Sequence, residues 1–133
     1  MTTVTCRLRK HADYQRVYSA SRKQFGKQMS YFFVLRARLG PDGGPVRTDN
    51  ADPDSPRIGL TVPKAIGKAV DRNRIKRRMR AAVRTQLSLL QLPVDVVLHP
   101  RRSVIDLDMP GLEREVASVF RAIQRASEKQ EAK

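Results

Sequence analysis

Apolar residues recur along the chain with two different periods, and these periods predict where strands and helices lie. In residues 29–39 every second side chain is apolar, which is typical of a strand with one face in a core. Two shorter apolar runs bounded by turn-forming residues predict further strands at residues 57–62 and 94–99. Apolar residues three and four positions apart predict amphipathic helices. These helices cover residues 11–21, 69–91 and about 110–126.

The order of these elements predicts a single α+β domain in which helices pack on a small sheet. Residues 40–56 are rich in glycine, proline and aspartate, which predicts a long flexible connection between two antiparallel strands. We expect residues 1–7 to form a loose arm and the polar residues 127–133 to form a frayed tail. The domain itself is therefore predicted to cover residues 8–126.

The two faces of the strand at residues 29–39 differ in character. One face is apolar and is predicted to join the core. The other face combines Phe32 with Arg36 and Arg38, which is unusual for a surface that merely meets water. Aromatic rings stack on unpaired bases, and arginines hold the adjoining phosphates. This face is therefore a candidate binding surface for single-stranded RNA.

The densest charge in the sequence lies at residues 72–80, which read Arg-Asn-Arg-Ile-Lys-Arg-Arg-Met-Arg. Cations spaced four residues apart on a helix repel one another, so we expect a polyanion such as nucleic acid to compensate them. A solvated charged face is the simpler alternative. The apolar positions of the helix form a stripe that faces the core: Ile75, Met79, Ala82, Val83, Leu87 and Leu90. A helical wheel places Lys76 and Arg80 on one flank of this stripe and Arg78 on the other. The residues that it places away from the stripe are Asn73, Arg74, Arg77 and Arg84.

The composition supports a nucleic-acid partner. The 27 basic residues outnumber the 13 acidic ones, for a net charge of +14 and an isoelectric point near 11.0. A single cysteine excludes an internal disulfide framework and a zinc ribbon. The sequence contains no apolar run of about 18 residues and no secretory signal. We therefore expect a cytoplasmic protein without a membrane partner.

Catalytic signals are weak. The two histidines, His11 and His99, show no suggestive spacing to acidic residues, and His99 is interpreted as a strand-end residue. The acidic residues fall mostly in the 40–55 segment or near helix starts, where solvated and capping roles suffice. No phosphate-binding glycine loop, zinc pair or nucleophile elbow is present. We therefore predict no catalytic residue, no metal ligand and no protein-bound cofactor.

From periodicity alone, Tyr14 and Tyr18 are predicted to be core aromatics.

Three segments in the right order carry a resemblance to a known family. Ile-Gly-Leu-Thr-Val at residues 58–62 is followed by Gly-Lys-Ala-Val at 67–70 and Arg-Asn-Arg-Ile-Lys-Arg at 72–77. This pattern closely resembles the bacterial ribonuclease P protein subunit. Residues 8–18 and the strand around Phe33-Val34-Leu35 are also similar to that family. The resemblance covers about residues 8–126.

The resemblance implies both a fold and a division of labour. The implied fold is an α–β sandwich of the ribosomal protein S5 domain 2 type, with a small mixed sheet, three helices and a left-handed βαβ crossover. The RNA subunit is expected to hold the active site and its Mg2+ ions and to remove the 5′ leader of precursor tRNA. The protein subunit, at one copy per RNA, is expected to bind the leader in a central cleft and to raise substrate and metal affinity.

The resemblance also implies roles for individual residues. Expected leader-binding residues are Tyr14, Tyr18, Arg36 and Thr61, which reverses the core interpretation of the two tyrosines. The pattern of the strand at residues 29–39 adds Phe32 to this set. Expected RNA-subunit-binding residues are Lys64, Lys68, Arg72, Asn73, Arg74, Lys76, Arg77 and Arg80. Three positions depart from the family pattern. Ala65 replaces a common second lysine, Lys68 stands where asparagine is frequent, and Arg36 falls where some relatives have an aromatic that touches a leader base.

Two other functions remain open from the residues alone. A general single-stranded RNA-binding or ribosome-associated protein would share the basic helix and the exposed aromatics. An autonomous nuclease would need a catalytic constellation that the sequence does not offer.

Overall fold

A four-stranded mixed sheet carries three α-helices in the computed structural model of the chain, which describes residues 8, 11–35 and 55–131. The α+β prediction is confirmed. The elements are α1 (His11–Ala20), β1 (Gln24–Phe25), β2 (Met29–Leu35), β3 (Arg57–Leu60), α2 (Ala69–Gln86), β4 (Val94–Pro100) and α3 (Met109–Glu131). Short 3-10 turns lie at Lys64–Ile66, Leu87–Leu89 and Arg102–Asp106.

The last strand of the chain lies inside the sheet. The strand order is β1-β2-β4-β3, with β4 antiparallel to β2 and parallel to β3. Strands β2 and β3 therefore run in opposite directions, as predicted, but they are not neighbours because β4 separates them. Strand β3, helix α2 and strand β4 form a βαβ unit; the left-handed crossover stays an expectation. Residues 36–54, which include most of the predicted connection, lie outside the described residues.

The main core lies between the sheet and helices α2 and α3. Strand β2 alternates as predicted, and its Tyr31 and Leu35 are buried in this core. The predicted stripe of α2 is buried at Ile75, Met79 and Ala82. The buried residues of α3 that complete the core are Leu112, Val116, Val119, Phe120 and Ile123. Removing this apolar surface from water is the main stabilising contribution to the fold.

Helix α1 packs on the other face of the sheet. A second apolar cluster joins Val17 of α1 to Val97 of β4 and to Leu8. The half-buried members of this cluster are Tyr14, Tyr18, Phe32 and Val34. The two faces of β2 thus serve two clusters, which agrees with the period of two in the sequence.

A buried ionic network fixes α1 to the sheet. The carboxylate of Asp95 is fully buried and accepts two hydrogen bonds from Arg57, at 2.9 and 2.8 Å. Arg16 of α1 donates to the same carboxylate at 2.6 Å, and Asp13 lies 3.5 Å from Arg57. Burial would lower the pKa of Arg57, but Asp95 and Asp13 outweigh it and raise the pKa. Asp95 therefore has a structural role that the sequence interpretation of the acidic residues did not include.

Several predicted element boundaries differ from the observed ones. Helix α2 ends at Gln86, before the predicted residue 91, and continues as a 3-10 turn that still places Leu90 in the core. Strand β4 includes Pro100, which pairs with Met29 at the strand end, where a missing N–H is tolerated. Helix α3 continues to Glu131, past residue 126 where a frayed tail was predicted, and Ser127 is buried. The two-residue strand β1 was not predicted.

None of the helices in the described part of the chain combines the length and the apolar character that crossing a lipid bilayer would require.

Candidate nucleic-acid interface

Three of the predicted leader-binding residues meet on the α1 face of the sheet. The Tyr18 hydroxyl lies 3.0 Å from the hydroxyl of Thr61 on the segment after β3. The Tyr18 ring packs edge to face on Phe32 of β2, with ring centroids 4.9 Å apart. We call Tyr18, Phe32 and Thr61, together with His99, the aromatic cluster. Residues from three separate segments thus form one half-buried surface.

His99 is the member of the aromatic cluster that the sequence analysis did not assign. It lies near the end of β4, as predicted, but its Nε2 is 2.9 Å from the Tyr18 hydroxyl. Its ring centroid is 5.4 Å from that of Phe32. Burial, with a smaller contribution from the positive charge of Lys23, lowers the pKa of His99. The imidazole is therefore neutral at pH 7 and accepts or donates one hydrogen bond at Nε2 according to its tautomer.

Tyr14 lies further along the sheet, where its ring covers Gly59 of β3. A Cβ atom at Gly59 would lie 2.7 Å from the Tyr14 hydroxyl oxygen and 2.8 Å from ring carbons. Glycine is therefore required for this close approach. The Tyr14 hydroxyl donates to the carbonyl of Leu8 at 3.4 Å. Both tyrosines are half-buried, so each ring packs against the sheet and still reaches the surface.

A cleft of about 390 Å³ separates Tyr14 from helix α2. Strand β3 forms its floor through Ile58, Gly59 and Leu60. The opposite side of the cleft is formed by α2 and the 3-10 turn that follows it. It contains three cations and two apolar side chains, namely Lys76, Arg80, Arg84, Val83 and Leu87. Lys76 and Arg80 lie on one flank of the helix, as the helical wheel predicted, and this flank faces the cleft. The helical wheel grouped Arg84 with the outer residues of α2, but the structure places it at the cleft, four residues from Arg80.

The outer surface of α2 presents a different set of polar side chains. Asn73, Arg74 and Arg77 are exposed. Among the described residues, no acidic side chain forms an ion pair with Arg74 or Arg77. Arg78 on the opposite flank donates to the carbonyl of Leu107 and is thereby held within the protein. The outer cations are therefore available to an external anion.

The turn before α2 is braced by two arginines. Gly67 has a positive φ of 157°, and its carbonyl accepts a hydrogen bond from Arg72 Nε at 3.2 Å. Arg102 donates to the carbonyl of Ile66 at 2.9 Å, and a Cβ at Gly67 would lie 2.5 Å from this guanidinium. Glycine thus suits both the backbone angle and the close approach of Arg102.

The structure brings many but not all of the predicted site residues together. Lys64 and Lys68 are exposed at the braced turn, next to the outer surface of α2. Lys76 and Arg80 instead face the cleft beside Tyr14. Arg36 lies outside the described residues. In the described ranges, no group of three histidine, cysteine, aspartate or glutamate side chains is placed to hold a metal ion.

Comparisons with known proteins agree on one family. The family model for ribonuclease P matches residues 3–124. The ribonuclease P protein component of Bacillus velezensis is 32% identical over 115 residues, which is 86% of this chain and 86% of that protein. The ribonuclease P protein component of Micrococcus luteus is 41% identical over 90 residues, which is 65% of this chain and 67% of that protein.

Solved structures show the same fold. The Thermotoga maritima RNase P protein superimposes with a TM-score of 0.68 at 19% identity, covering 87% of this chain and 96% of that one. The Staphylococcus aureus RNase P protein gives a TM-score of 0.65 at 23% identity, covering 90% of this chain and 96% of that one.

Proposed function

The chain belongs to the ribonuclease P protein family, and from this premise we propose that it binds the single-stranded 5′ leader of precursor tRNA in the cleft between α1 and α2. As a ribonuclease P protein component, it is a subunit of an endoribonuclease that processes tRNA, and its partner is an RNA subunit. In this arrangement the protein divides its surface between the leader and the RNA subunit.

The lining of the cleft is the main evidence for leader binding. The aromatic ring of Tyr14 faces Lys76, Arg80 and Arg84 across a floor formed by β3. Bases stack on aromatic rings and phosphates pair with cations, so a single strand can place its bases towards Tyr14 and its backbone towards α2. The mixture of polar and apolar lining suits a nucleotide chain better than it suits an inorganic anion.

The aromatic cluster extends this path. Thr61 follows Leu60, which lines the cleft, so the cluster adjoins the cleft along β3. Phe32 offers further ring surface, and the hydroxyl groups of Tyr18 and Thr61 are hydrogen-bond partners for a base edge. A leader of several nucleotides would pass from the α2 side of the cleft to the aromatic cluster.

The outer surface of α2 is the proposed contact with the RNA subunit. Its residues are Asn73, Arg74 and Arg77, together with Arg72, Lys64 and Lys68 at the braced turn. Bidentate guanidinium groups suit phosphate oxygens. We assign Lys76 and Arg80 to the leader, although the family resemblance had placed them with the RNA-subunit contacts, because both line the cleft.

Catalysis is assigned to the RNA subunit, where bound Mg2+ would supply the nucleophilic water and stabilise the developing charge. This protein would raise substrate affinity by holding the leader, and it would favour metal binding by fixing the substrate against the RNA. We propose one protein per RNA subunit.

Reconstitution tests the proposal. The full-length protein is mixed with a bacterial ribonuclease P RNA and with precursor tRNAs whose leaders differ in length. We expect the protein to restore cleavage at low Mg2+. Its affinity for precursor tRNA should increase with leader length until the leader fills the cleft and the aromatic cluster. Affinity that does not depend on the leader would refute leader binding and favour a general RNA-binding protein. Cleavage without the RNA subunit would indicate an autonomous nuclease.

A further inference from the structure

Phe25 is an exposed aromatic at the edge of the sheet opposite to β3. It lies on β1, whose one neighbour in the described sheet is β2, and 70% of the residue's surface is accessible. Burial of a phenylalanine side chain usually stabilises a protein, so an exposed ring gives up that contribution. The other exposed large apolar residue in the described part of the chain is Val70, on α2.

The hairpin that carries Phe25 is firmly anchored. Gly26 donates its backbone N–H to the carbonyl of Met29 at 2.7 Å. The backbone N–H of Gln28 donates to the carboxylate of Glu115 on α3, and its carbonyl accepts from the N–H of Arg101 at 3.0 Å. The backbone of the hairpin that carries Phe25 is therefore held by contacts within its own strand pair, to α3 and to the end of β4. An anchored backbone at the ring lowers the cost of ordering this segment when a ligand binds.

Four cations lie on this side of the protein, one of them over the ring. Lys23 Nζ lies 5.7 Å from the ring centroid, and the guanidinium of Arg101 donates to the carbonyl of Lys27 at 3.0 Å. Arg114 lies with Phe25 and Lys27 along a groove of about 650 Å³ between the β1–β2 turn and α3. All four cations are exposed. We call Lys23, Phe25, Lys27, Arg101 and Arg114 the β1 patch.

Glu115 is the acidic residue among those that line the groove. Its carboxylate accepts the N–H of Gln28, so it serves to anchor the turn. The β1 patch therefore combines one accessible aromatic ring with an excess of positive charge, which is the combination that binds an unpaired base and its phosphates.

We propose that the β1 patch binds an unpaired nucleotide of the RNA subunit. The base would stack on the ring of Phe25, and the flanking phosphates would pair with Lys27, Arg101 and Arg114. This contact is separate from the leader path, because β2 and β4 lie between the β1 edge and the cleft at β3. The protein would thus contact the RNA subunit at two places, the outer surface of α2 and the opposite edge of the sheet.

Binding measurements with matched variants test this proposal. Phe25→Ala removes the ring, Phe25→Tyr keeps a stacking surface, and Arg114→Ala removes one cation. Arg125→Ala is the charge-matched control, because Arg125 is also exposed on α3 but does not line the groove. Melting temperatures check that each full-length variant is folded, and the exposure of these side chains predicts little change.

We expect Phe25→Ala to weaken binding to the isolated RNA subunit about tenfold, and Phe25→Tyr to retain it. Arg114→Ala should lower the salt dependence of this binding by about one unit, whereas Arg125→Ala should not. The dependence of precursor tRNA affinity on leader length should stay unchanged in every variant.

Three outcomes would overturn the proposal. If wild type and Phe25→Ala bind the RNA subunit with equal affinity, Phe25 does not stack on a base of that RNA. A loss confined to substrates with a leader would assign the patch to the leader. Binding of poly-glutamate that depends on Phe25, without an effect on RNA, would identify an acidic protein segment as the ligand.

Discussion

The hydroxyl of Tyr18 lies 2.9 Å from Nε2 of His99 and 3.0 Å from the hydroxyl of Thr61, so one phenol joins α1 to β4 and to the segment after β3. A single phenol proton cannot be donated to both partners at once. At least one of these hydrogen bonds must therefore be donated by His99 or Thr61. The tautomer of His99 and the donor or acceptor role of Thr61 are thus coupled through the Tyr18 hydroxyl.

Two substitutions at Tyr18 separate the ring from its hydroxyl. Tyr18→Phe keeps the ring and should reduce the free energy of unfolding by about 1 kcal/mol, because two hydrogen bonds are lost at a half-buried site. Tyr18→Ala should in addition weaken leader binding by ~1–3 kcal/mol if the ring stacks on a base. Urea unfolding and leader-dependent affinity measure the two effects. If Tyr18→Ala lowers stability but leaves leader binding unchanged, the ring belongs to the core.

The neutral state of His99 should make stability depend on pH. Its pKa in the folded protein is below the ordinary value of 6.5, so the unfolded chain takes up the proton first as pH falls. The free energy of unfolding should therefore decrease as pH falls from about 6.5 through the folded pKa, and then level off for this group. Urea unfolding of wild type and His99→Gln at pH 7.5 and pH 5.5 should show a smaller decrease in the variant. Equal decreases would mean that His99 does not contribute.

Gly59 should not tolerate a side chain. A Cβ atom there would lie 2.7 Å from the Tyr14 hydroxyl oxygen. Gly59→Ala should therefore reduce stability by about 1–3 kcal/mol and displace the Tyr14 ring into the cleft. The double variant Gly59→Ala with Tyr14→Ala relieves the clash, so its loss of stability should be smaller than the sum of the two single losses. Strict additivity in a double-mutant cycle would argue against direct contact.

Asp95 should be among the residues most sensitive to loss of charge. Asp95→Asn leaves Arg57 buried without its bidentate partner, for an expected loss of about 3–5 kcal/mol. Asp13→Asn is the matched control, because Asp13 lies 3.5 Å from the same guanidinium and is less buried than Asp95. Chemical denaturation should show a much larger loss in the free energy of unfolding for Asp95→Asn than for Asp13→Asn. The reverse order would show that Asp13 is the main partner of Arg57.

The two sides of α2 should respond to different RNA molecules. Arg74→Ala with Arg77→Ala should weaken binding to the RNA subunit and lower its salt dependence by about one unit per lost phosphate contact. Arg80→Ala with Arg84→Ala should instead reduce the gain in affinity that a leader provides. Filter binding with the RNA subunit alone and with precursor tRNAs of two leader lengths distinguishes the effects of the two pairs of substitutions. Identical effects of both pairs would contradict the assignment of separate surfaces.

Local patterns predicted the elements well, because period and burial are encoded in neighbouring residues. The stripe of α2 and the alternation in β2 both follow from single segments. The flank of α2 that carries Arg80 was also predicted, but the neighbour that it faces depends on where α1 lies on the sheet. The sequence could not supply that placement.

The tertiary features that were missed depend on strand pairing. His99 joins Phe32 because β4 pairs with β2 in a register that places Ser30 opposite His99. Asp95 meets Arg57 because β4 also pairs with β3. Neither pairing is visible in a single sequence, since alternation fixes which side chains share a face but not which strands are neighbours.

The central position of β4 has a consequence for the order of folding. Helix α1 contacts both β2 and β4, and its contacts with β4 place Arg16 at Asp95, Val17 beside Val97 and Tyr18 at His99. The packing of α1 on the sheet therefore cannot be completed until β4 is in place. Contacts between segments so distant in sequence slow folding. During synthesis, the aromatic cluster cannot form before residue 99 has left the ribosome, even though Tyr18 and Phe32 were made long before.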